Sequence, residues 1–125
     1  MSNKSWDNIS SATKSVWAGE EENFVEGAAQ VPIVNSVSYS YDDLDEWFDV
    51  ATGKRKGHIY SRNTNPTVTV FEEKMRILED AEAATSFATG MAAISNILFS
   101  LLSPGQRVVS VKDTYGGTSV VFLDH

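Results

Sequence analysis

An amphipathic helix is the clearest element that the pattern of hydrophobic and polar positions predicts. Apolar side chains recur along it at spacings of three and four residues, at Val68, Phe71, Met75 and Leu78. Asn65 ahead of Pro66 offers an N-cap followed by proline at the first helical position. Thr69 with Glu72 offers a capping box one turn later. The pattern therefore predicts a helix that begins after Asn65 and ends near Ala81.

The hydrophobic runs that follow predict a strand, a turn and a buried helix in succession. Residues 84–88 form a short apolar run, Gly90 interrupts it, and residues 91–102 are apolar on nearly every helical face. Alternation over residues 107–111 then predicts a second strand. The resulting β-α-β unit is typical of a parallel sheet, in which ligands bind at the carboxyl ends of the strands.

The two ends of the chain have weaker patterns. Residues before Tyr60 are irregular and predict an extended arm with short helices, which must lie on another surface to stay ordered. A third helix is expected to begin near Thr118, and the sequence stops at His125 before it is complete. Because a two-stranded parallel sheet is not a stable end point, we expect a fragment or a protein completed by partners.

Composition and charge narrow the function classes. With 125 residues and 42% hydrophobic content, the chain has the size and apolar content of one globular domain. A net charge of −7 disfavours general nucleic-acid binding but leaves room for a small anion in a locally positive pocket. The absence of cysteine excludes disulfides, thiolate metal ligands and a cysteine nucleophile, and no metal site is predicted. The polar N-terminus lacks a signal-peptide pattern, which predicts a cytoplasmic protein.

Three short motifs carry candidate chemistry. At Gly90 a predicted strand passes through glycine into a helix N-terminus, where free amides and the helix dipole favour a phosphate. Tyr60 and Arg62 place a phenol and a guanidinium on one short connection, and such groups bind phosphate. Tyr115 precedes two glycines at the end of the second predicted strand and could stack on a flat ligand. Taken singly, the first two motifs are better explained by a plain turn and by ordinary interface or surface side chains, and the third has a plain glycine turn as its alternative.

Together, the three motifs resemble the N-terminal signatures of the Cys/Met metabolism enzymes that depend on pyridoxal 5'-phosphate (PLP). The matching segments are Tyr60-Ser-Arg62-x-x-Asn65-Pro66-Thr67, Gly90-Met91-Ala92-Ala93 and Asp113-x-Tyr115-Gly116-Gly117-Thr118. The likeness covers residues 31–125 strongly and the preceding arm weakly. It implies an α/β protein of the type I, aspartate aminotransferase-like fold, in which an extended arm is followed by a helix and the start of a mainly parallel sheet.

The resemblance also implies roles for individual residues within one subunit. Gly90 and Met91 would give backbone amides to the PLP phosphate, with the hydroxyl of Thr89 close by. Tyr115 would stack on the pyridine ring, and it is the candidate catalytic residue that carries a proton at the γ-substituent of the substrate.

Other implied roles cross a subunit interface. Tyr60 and Arg62 would reach the phosphate of the neighbouring subunit, so that active sites are shared within a homodimer or homotetramer. Residues 1–60 would then be an N-terminal arm on the neighbouring subunit. Residues 61–125 would be the truncated beginning of the large PLP-binding domain.

The sequence departs from the family pattern in what it lacks. The Schiff-base lysine, the aspartate on the pyridine nitrogen and the arginine for the substrate carboxylate belong to later segments of such enzymes. Residues 11–14 read Ser-Ala-Thr-Lys, but they stand ahead of the phosphate-binding motifs, whereas the cofactor lysine of such enzymes follows those motifs. The chain alone is therefore expected to be inactive, since that lysine starts the chemistry.

The resemblance favours γ-elimination or γ-replacement on homoserine esters, cystathionine or related amino acids. Gly116 stands where methionine γ-lyases usually carry a reactive cysteine, and Tyr-Gly-Gly-Thr is closer to cystathionine γ-synthase, cystathionine γ-lyase and O-acetylhomoserine sulfhydrylase. Two alternatives stay open: a truncated, non-catalytic subunit that acts as an interaction module, and a phosphate-binding α/β domain unrelated to PLP.

Overall fold

The computed structural model describes residues 6–20 and 27–124 and divides the chain into two compact units, Met1–Thr85 and Ser86–His125. The described residues contain five helices: α1 (Ser11–Trp17), α2 (Leu44–Ala51), α3 (Pro66–Leu78), α4 (Gly90–Leu101) and α5 (Gly116–Asp124). Helices α1 and α2 are the short helices predicted for the arm. None of the helices in these ranges has the length and apolar content needed to span a bilayer.

In the first unit, α1 packs against α3. Ala18, which follows α1, is fully buried. Gly19 has a φ of +78°, and a Cβ at this position would lie 2.9 Å from the Cβ of Glu73. Lys74 on α3 donates to the carbonyl of Val16 and forms an ion pair with Glu20. Glycine is thus needed at position 19 both for its left-handed backbone and for the close approach to α3.

The start of α3 confirms the predicted N-cap. Asn65 is 8% exposed, and its Oδ1 accepts the amide of Thr67 at 2.9 Å. Its Nδ2 donates to the carbonyl of Val34 at 2.9 Å and to the hydroxyl of Tyr39 at 3.3 Å. One side chain therefore caps α3 and also fixes the preceding segment against it.

The rest of α3 differs in detail from the prediction. The helix ends at Leu78 rather than near Ala81. After the helix end, the amide of Ala81 donates to the carbonyl of Arg76 at 2.9 Å. Thr69 lies inside the helix and does not cap it, because Asn65 already begins the helix one turn earlier. The earlier start is favoured by the proline at the first helical position.

Backbone pairing in the first unit holds the chain near Tyr60. Ser38 and Tyr60 form an isolated antiparallel bridge. The amide of Tyr39 donates to the carbonyl of Ile59 at 3.0 Å, and the amide of Ser61 donates to the carbonyl of Val37 at 2.8 Å. The arm therefore supports the connection that carries the predicted phosphate-binding side chains.

In the second unit, α4 and α5 pack against each other. Helix α4 corresponds to the helix predicted over residues 91–102, and α5 begins two residues before the predicted Thr118. None of the residues in α4 is buried, and Phe99 and Leu101 are 79% and 74% exposed. The burial expected for this helix is therefore not seen.

The predicted start of a parallel sheet is not confirmed. Residues 84–88 and 107–111 have no sheet pairing among the described residues, and Val109 is 98% exposed. Alternating apolar residues indicate that a segment suits a sheet, but a parallel strand exists only where neighbouring strands supply hydrogen-bond partners. In the second unit the β-α-β pattern therefore appears as a helix between two irregular segments.

Candidate functional site

The N-terminus of α4 has the geometry of an anion site. Thr89 is the N-cap: its side chain accepts the amide of Ala92 at 3.1 Å, and its carbonyl accepts the amide of Ala93 at 3.1 Å. The amides of Gly90 and Met91 precede both, at positions where a helix offers no intrahelical acceptor. A Cβ at Gly90 would meet nothing within 4 Å, so a ligand can approach the backbone here. The Thr89 hydroxyl itself serves as the helix cap.

Tyr115 lies at the N-terminus of α5. Its carbonyl accepts the amides of Thr118 at 2.9 Å and Ser119 at 3.1 Å, which places it at the N-cap position. Its side chain is 75% exposed. The Thr114 and Ser119 hydroxyls are 2.6 Å apart and tie this turn to the helix. The turn is thus fixed while most of the phenol surface stays accessible to a ligand.

Gly117 brings the two helix N-termini together. A Cβ there would lie 3.0 Å from Cε1 of Tyr115 and 3.2 Å from Sδ of Met91. The hydroxyl of Thr118, a residue that is 7% exposed, also donates to the Met91 sulfur at 3.7 Å. The structure therefore brings Met91 and Tyr115, two of the residues predicted from the sequence, together at one glycine contact.

We expect Gly117→Ala to disturb this contact, whereas Gly116→Ala should not. A Cβ at Gly116 would meet nothing within 4 Å, and neither glycine has a left-handed φ. Alanine is the better helix former, so Gly116→Ala should be neutral or slightly stabilising. Gly117→Ala should be less stable than Gly116→Ala by about 1 kcal/mol, because the Tyr115 ring or the Met91 side chain has to move by a few tenths of an ångström. Urea denaturation of both variants checks this, and equal midpoints would show that the close packing at Gly117 is unimportant.

Tyr60 and Arg62 lie together in the first unit. The guanidinium carbon of Arg62 is 4.9 Å from the centroid of the Tyr60 ring. Arg62 is exposed, and Tyr60 is 39% exposed. The carbonyl of Tyr60 accepts the amides of Asn63 at 2.9 Å and Thr64 at 3.2 Å. These two hydrogen bonds form a turn over residues 60–64, and Arg62 lies within it. A guanidinium and a phenol on one short turn suit the binding of a phosphate.

His58 is a residue of this region that sequence reasoning missed. Its Nδ1 lies 2.9 Å from the hydroxyl of Thr64, and its ring centroid is 5.4 Å from that of Tyr39. The hydroxyl of Tyr41 donates to its carbonyl at 2.9 Å. Burial lowers the pKa of the imidazole, and a hydrogen bond with Thr64 opposes this change. Its position two residues before Tyr60 was the available signal.

The basic segment 54–57 is an exposed turn. Lys54 lies 3.6 Å from Asp49, and Arg55 forms an ion pair with Glu46. The ammonium group of Lys54 is also 5.5 Å from the centroid of the Phe48 ring. Lys54 and Arg55 thus contact residues of α2 and are largely exposed, so we do not add them to the phosphate-binding candidates.

Comparison with known proteins gives a consistent result. A model of the family described as "Cys/Met metabolism PLP-dependent enzyme" matches residues 12–125. An L-methionine gamma-lyase of Treponema denticola is 33% identical over 125 residues, which is 100% of this chain and 31% of the relative. An O-acetyl-L-homoserine sulfhydrylase of Corynebacterium glutamicum is 32% identical over 89% of this chain and 25% of the relative.

A third relative extends this comparison. An O-succinylhomoserine sulfhydrylase of Mycobacterium tuberculosis is 36% identical over 115 residues, which is 92% of this chain and 28% of the relative. The chain thus spans less than a third of the length of the curated relatives that it matches.

Proposed function

This chain belongs to the Cys/Met metabolism PLP-dependent enzyme family, and we propose that it forms the N-terminal part of a subunit that acts on sulfur-containing amino acids. The reaction we infer is γ-elimination or γ-replacement, on homoserine esters, cystathionine or related substrates. Methionine γ-lyase and homoserine sulfhydrylases among the relatives support this class. The observation that carries the proposal is the convergence of the α4 N-terminus and Tyr115 at Gly117.

The described residues fit the phosphate and the ring of PLP. The amides of Gly90 and Met91 would bind the phosphate, supported by the helix dipole of α4. The exposed ring of Tyr115 would cover the pyridine ring. When bound, PLP supplies an electron sink for carbanion chemistry. This chain's own residues hold and orient the cofactor, and the hydroxyl of Tyr115 would carry a proton to or from the γ-substituent.

Tyr60 and Arg62 are proposed to serve a different active site. On the family pattern they reach the cofactor phosphate of a neighbouring subunit, within a homodimer or homotetramer. Their exposure and their shared turn support this, because both side chains are presented outward from a loop that the arm anchors. The arm, residues 1–60, would then contact the partner, and residues 61–125 would begin the large PLP-binding domain.

The remaining parts of the proposal concern the complete subunit. Its fold would be of type I, with the unpaired segments 84–88 and 107–111 becoming strands once other strands flank them. We also propose that the complete subunit is located in the cytoplasm.

Reductive trapping of PLP tests the proposed function. We expect borohydride treatment followed by mass spectrometry to give no specific lysine adduct on residues 1–125 alone. The complete subunit should give one adduct, on a lysine outside this segment. Lys54 and Lys74 form ion pairs with Asp49 and Glu20, so both side chains already have carboxylate partners.

Both alternatives, the interaction module and the phosphate-binding domain unrelated to PLP, predict no trapping. A non-catalytic interaction module would give no adduct even in the complete gene product. A specific adduct on one lysine of residues 1–125 would show that the cofactor lysine lies within this chain and would contradict the assignment made above.

A further inference from the structure

One side-chain hydrogen bond closes the loop that carries Tyr60 and Arg62. This loop, residues 57–64, is called the Tyr60 loop below. Nδ1 of His58 lies 2.9 Å from the hydroxyl of Thr64, so the bond joins the second residue of the loop to its last. The same hydroxyl is 3.5 Å from the carbonyl of Gly57. The hydroxyl of Thr64, at the end of the loop, therefore has its hydrogen-bond partners at the beginning of the loop.

The two branches of the Tyr60 loop are held in different ways. The entering branch pairs with the arm through the backbone of Ile59 and Ser61. The returning branch, from Arg62 to Thr64, has turn bonds to the carbonyl of Tyr60, and its side-chain link is the bond from Thr64 to His58. Losing this link would leave the returning branch with its turn bonds to Tyr60 but without a side-chain bond to the entering branch.

His58 is itself fixed by residues outside the loop. Its ring is tilted by 39° against the Tyr39 ring, and its carbonyl accepts the Tyr41 hydroxyl. A Cβ at Gly57 would lie 2.7 Å from that hydroxyl, which shows how closely the arm approaches here. The imidazole therefore transmits the position of the arm to Thr64 and the returning branch.

We propose that His58 is a positioning residue which, through Thr64, holds the Tyr60 loop in the conformation that presents Arg62 to a phosphate. The inference rests on the proposed function, in which Arg62 binds the cofactor phosphate. His58 does not touch the cofactor in this proposal. It acts by restricting the returning branch, which lowers the entropy lost when Arg62 binds.

The test compares variants of the complete gene product in PLP affinity and in hydrogen exchange of residues 59–64. His58→Phe and Thr64→Val should each raise the Kd for PLP about 3-fold to 10-fold, the size of one lost hydrogen bond. Both should speed amide exchange in the loop. His58→Asn and Thr64→Ser keep hydrogen-bonding atoms and should stay within about twofold of wild type. The double variant His58→Phe/Thr64→Val should bind PLP no more weakly than Thr64→Val alone, since Thr64→Val already removes the bond to His58.

Thr52→Val is the matched control. Its hydroxyl bonds to the carbonyl of Phe48 at 2.8 Å at the end of α2, outside the Tyr60 loop. It should lose some thermal stability without changing PLP affinity. This control separates a general loss of stability from a loss of loop position. If His58→Phe does not fold, the comparison of Thr64→Val with His58→Asn replaces it.

The outcomes separate the inference from the proposed function. If wild type binds PLP and both His58→Phe and Thr64→Val keep the wild-type Kd and the wild-type amide exchange in the loop, the inference is overturned and the proposed function stands. Additive losses in the double variant would overturn the route through Thr64. Failure of wild type itself to bind PLP would overturn the proposed function and this inference with it.

Discussion

Tyr115→Phe in the complete subunit is expected to retain PLP and to lower kcat about 100-fold to 10,000-fold, the usual contribution of a positioned acid or base. The substitution keeps the ring that lies against Gly117 and removes only the hydroxyl. Because the side chain is 75% exposed at the N-terminus of α5, no buried hydrogen bond is lost with it. The effect should therefore fall on proton transfer and not on folding.

The measurement is kcat together with the Kd for PLP, and Tyr60→Phe is the matched comparison. Both variants lose one phenol hydroxyl. Tyr60 is proposed to contact the phosphate, so Tyr60→Phe should weaken PLP binding and leave kcat near wild type once the cofactor is saturating. A Tyr115→Phe enzyme with full kcat would show that another group moves the proton.

Mixing two inactive variants is expected to restore activity. The first is Arg62→Ala, which loses a charge-assisted contact to the phosphate. The second lacks the lysine that attaches the cofactor, which we place outside residues 1–125. If Arg62 serves the neighbouring site, a mixed dimer holds one site with both defects and one with neither. With random exchange half of the dimers are mixed, so the mixture should recover about a quarter of wild-type activity.

Arg55→Ala provides the control for the mixing experiment. Arg55 is exposed and forms an ion pair with Glu46, and surface pairs of this kind contribute little. Arg55→Ala should be active without any partner variant. Subunit exchange is verified independently, with differently tagged subunits. If exchange occurs and the mixture of Arg62→Ala with the lysine variant stays inactive, Arg62 acts within its own subunit.

The predictions that the structure confirms are those that depend on residues close together in the sequence. Asn65 caps α3 through an amide two residues away, as predicted, and the predicted helix N-terminus at Gly90 is capped by Thr89 through an amide three residues away. Such bonds form within one turn of chain and need no distant partner. The order of the three motifs along the sequence was likewise enough to indicate the family. The comparison with known protein families then showed that the chain belongs to it.

The tertiary structure determined what depends on residues far apart in the sequence. Gly117 packs between Tyr115 and Met91, and nothing in the local sequence shows that the second contact exists. Strand formation at residues 107–111 was predicted and is absent, because alternation describes one segment while pairing needs another. His58 was overlooked for the same reason, since its importance depends on Thr64 folding back onto it. A local pattern determines which conformation a segment favours, but only packing determines which distant side chains it meets.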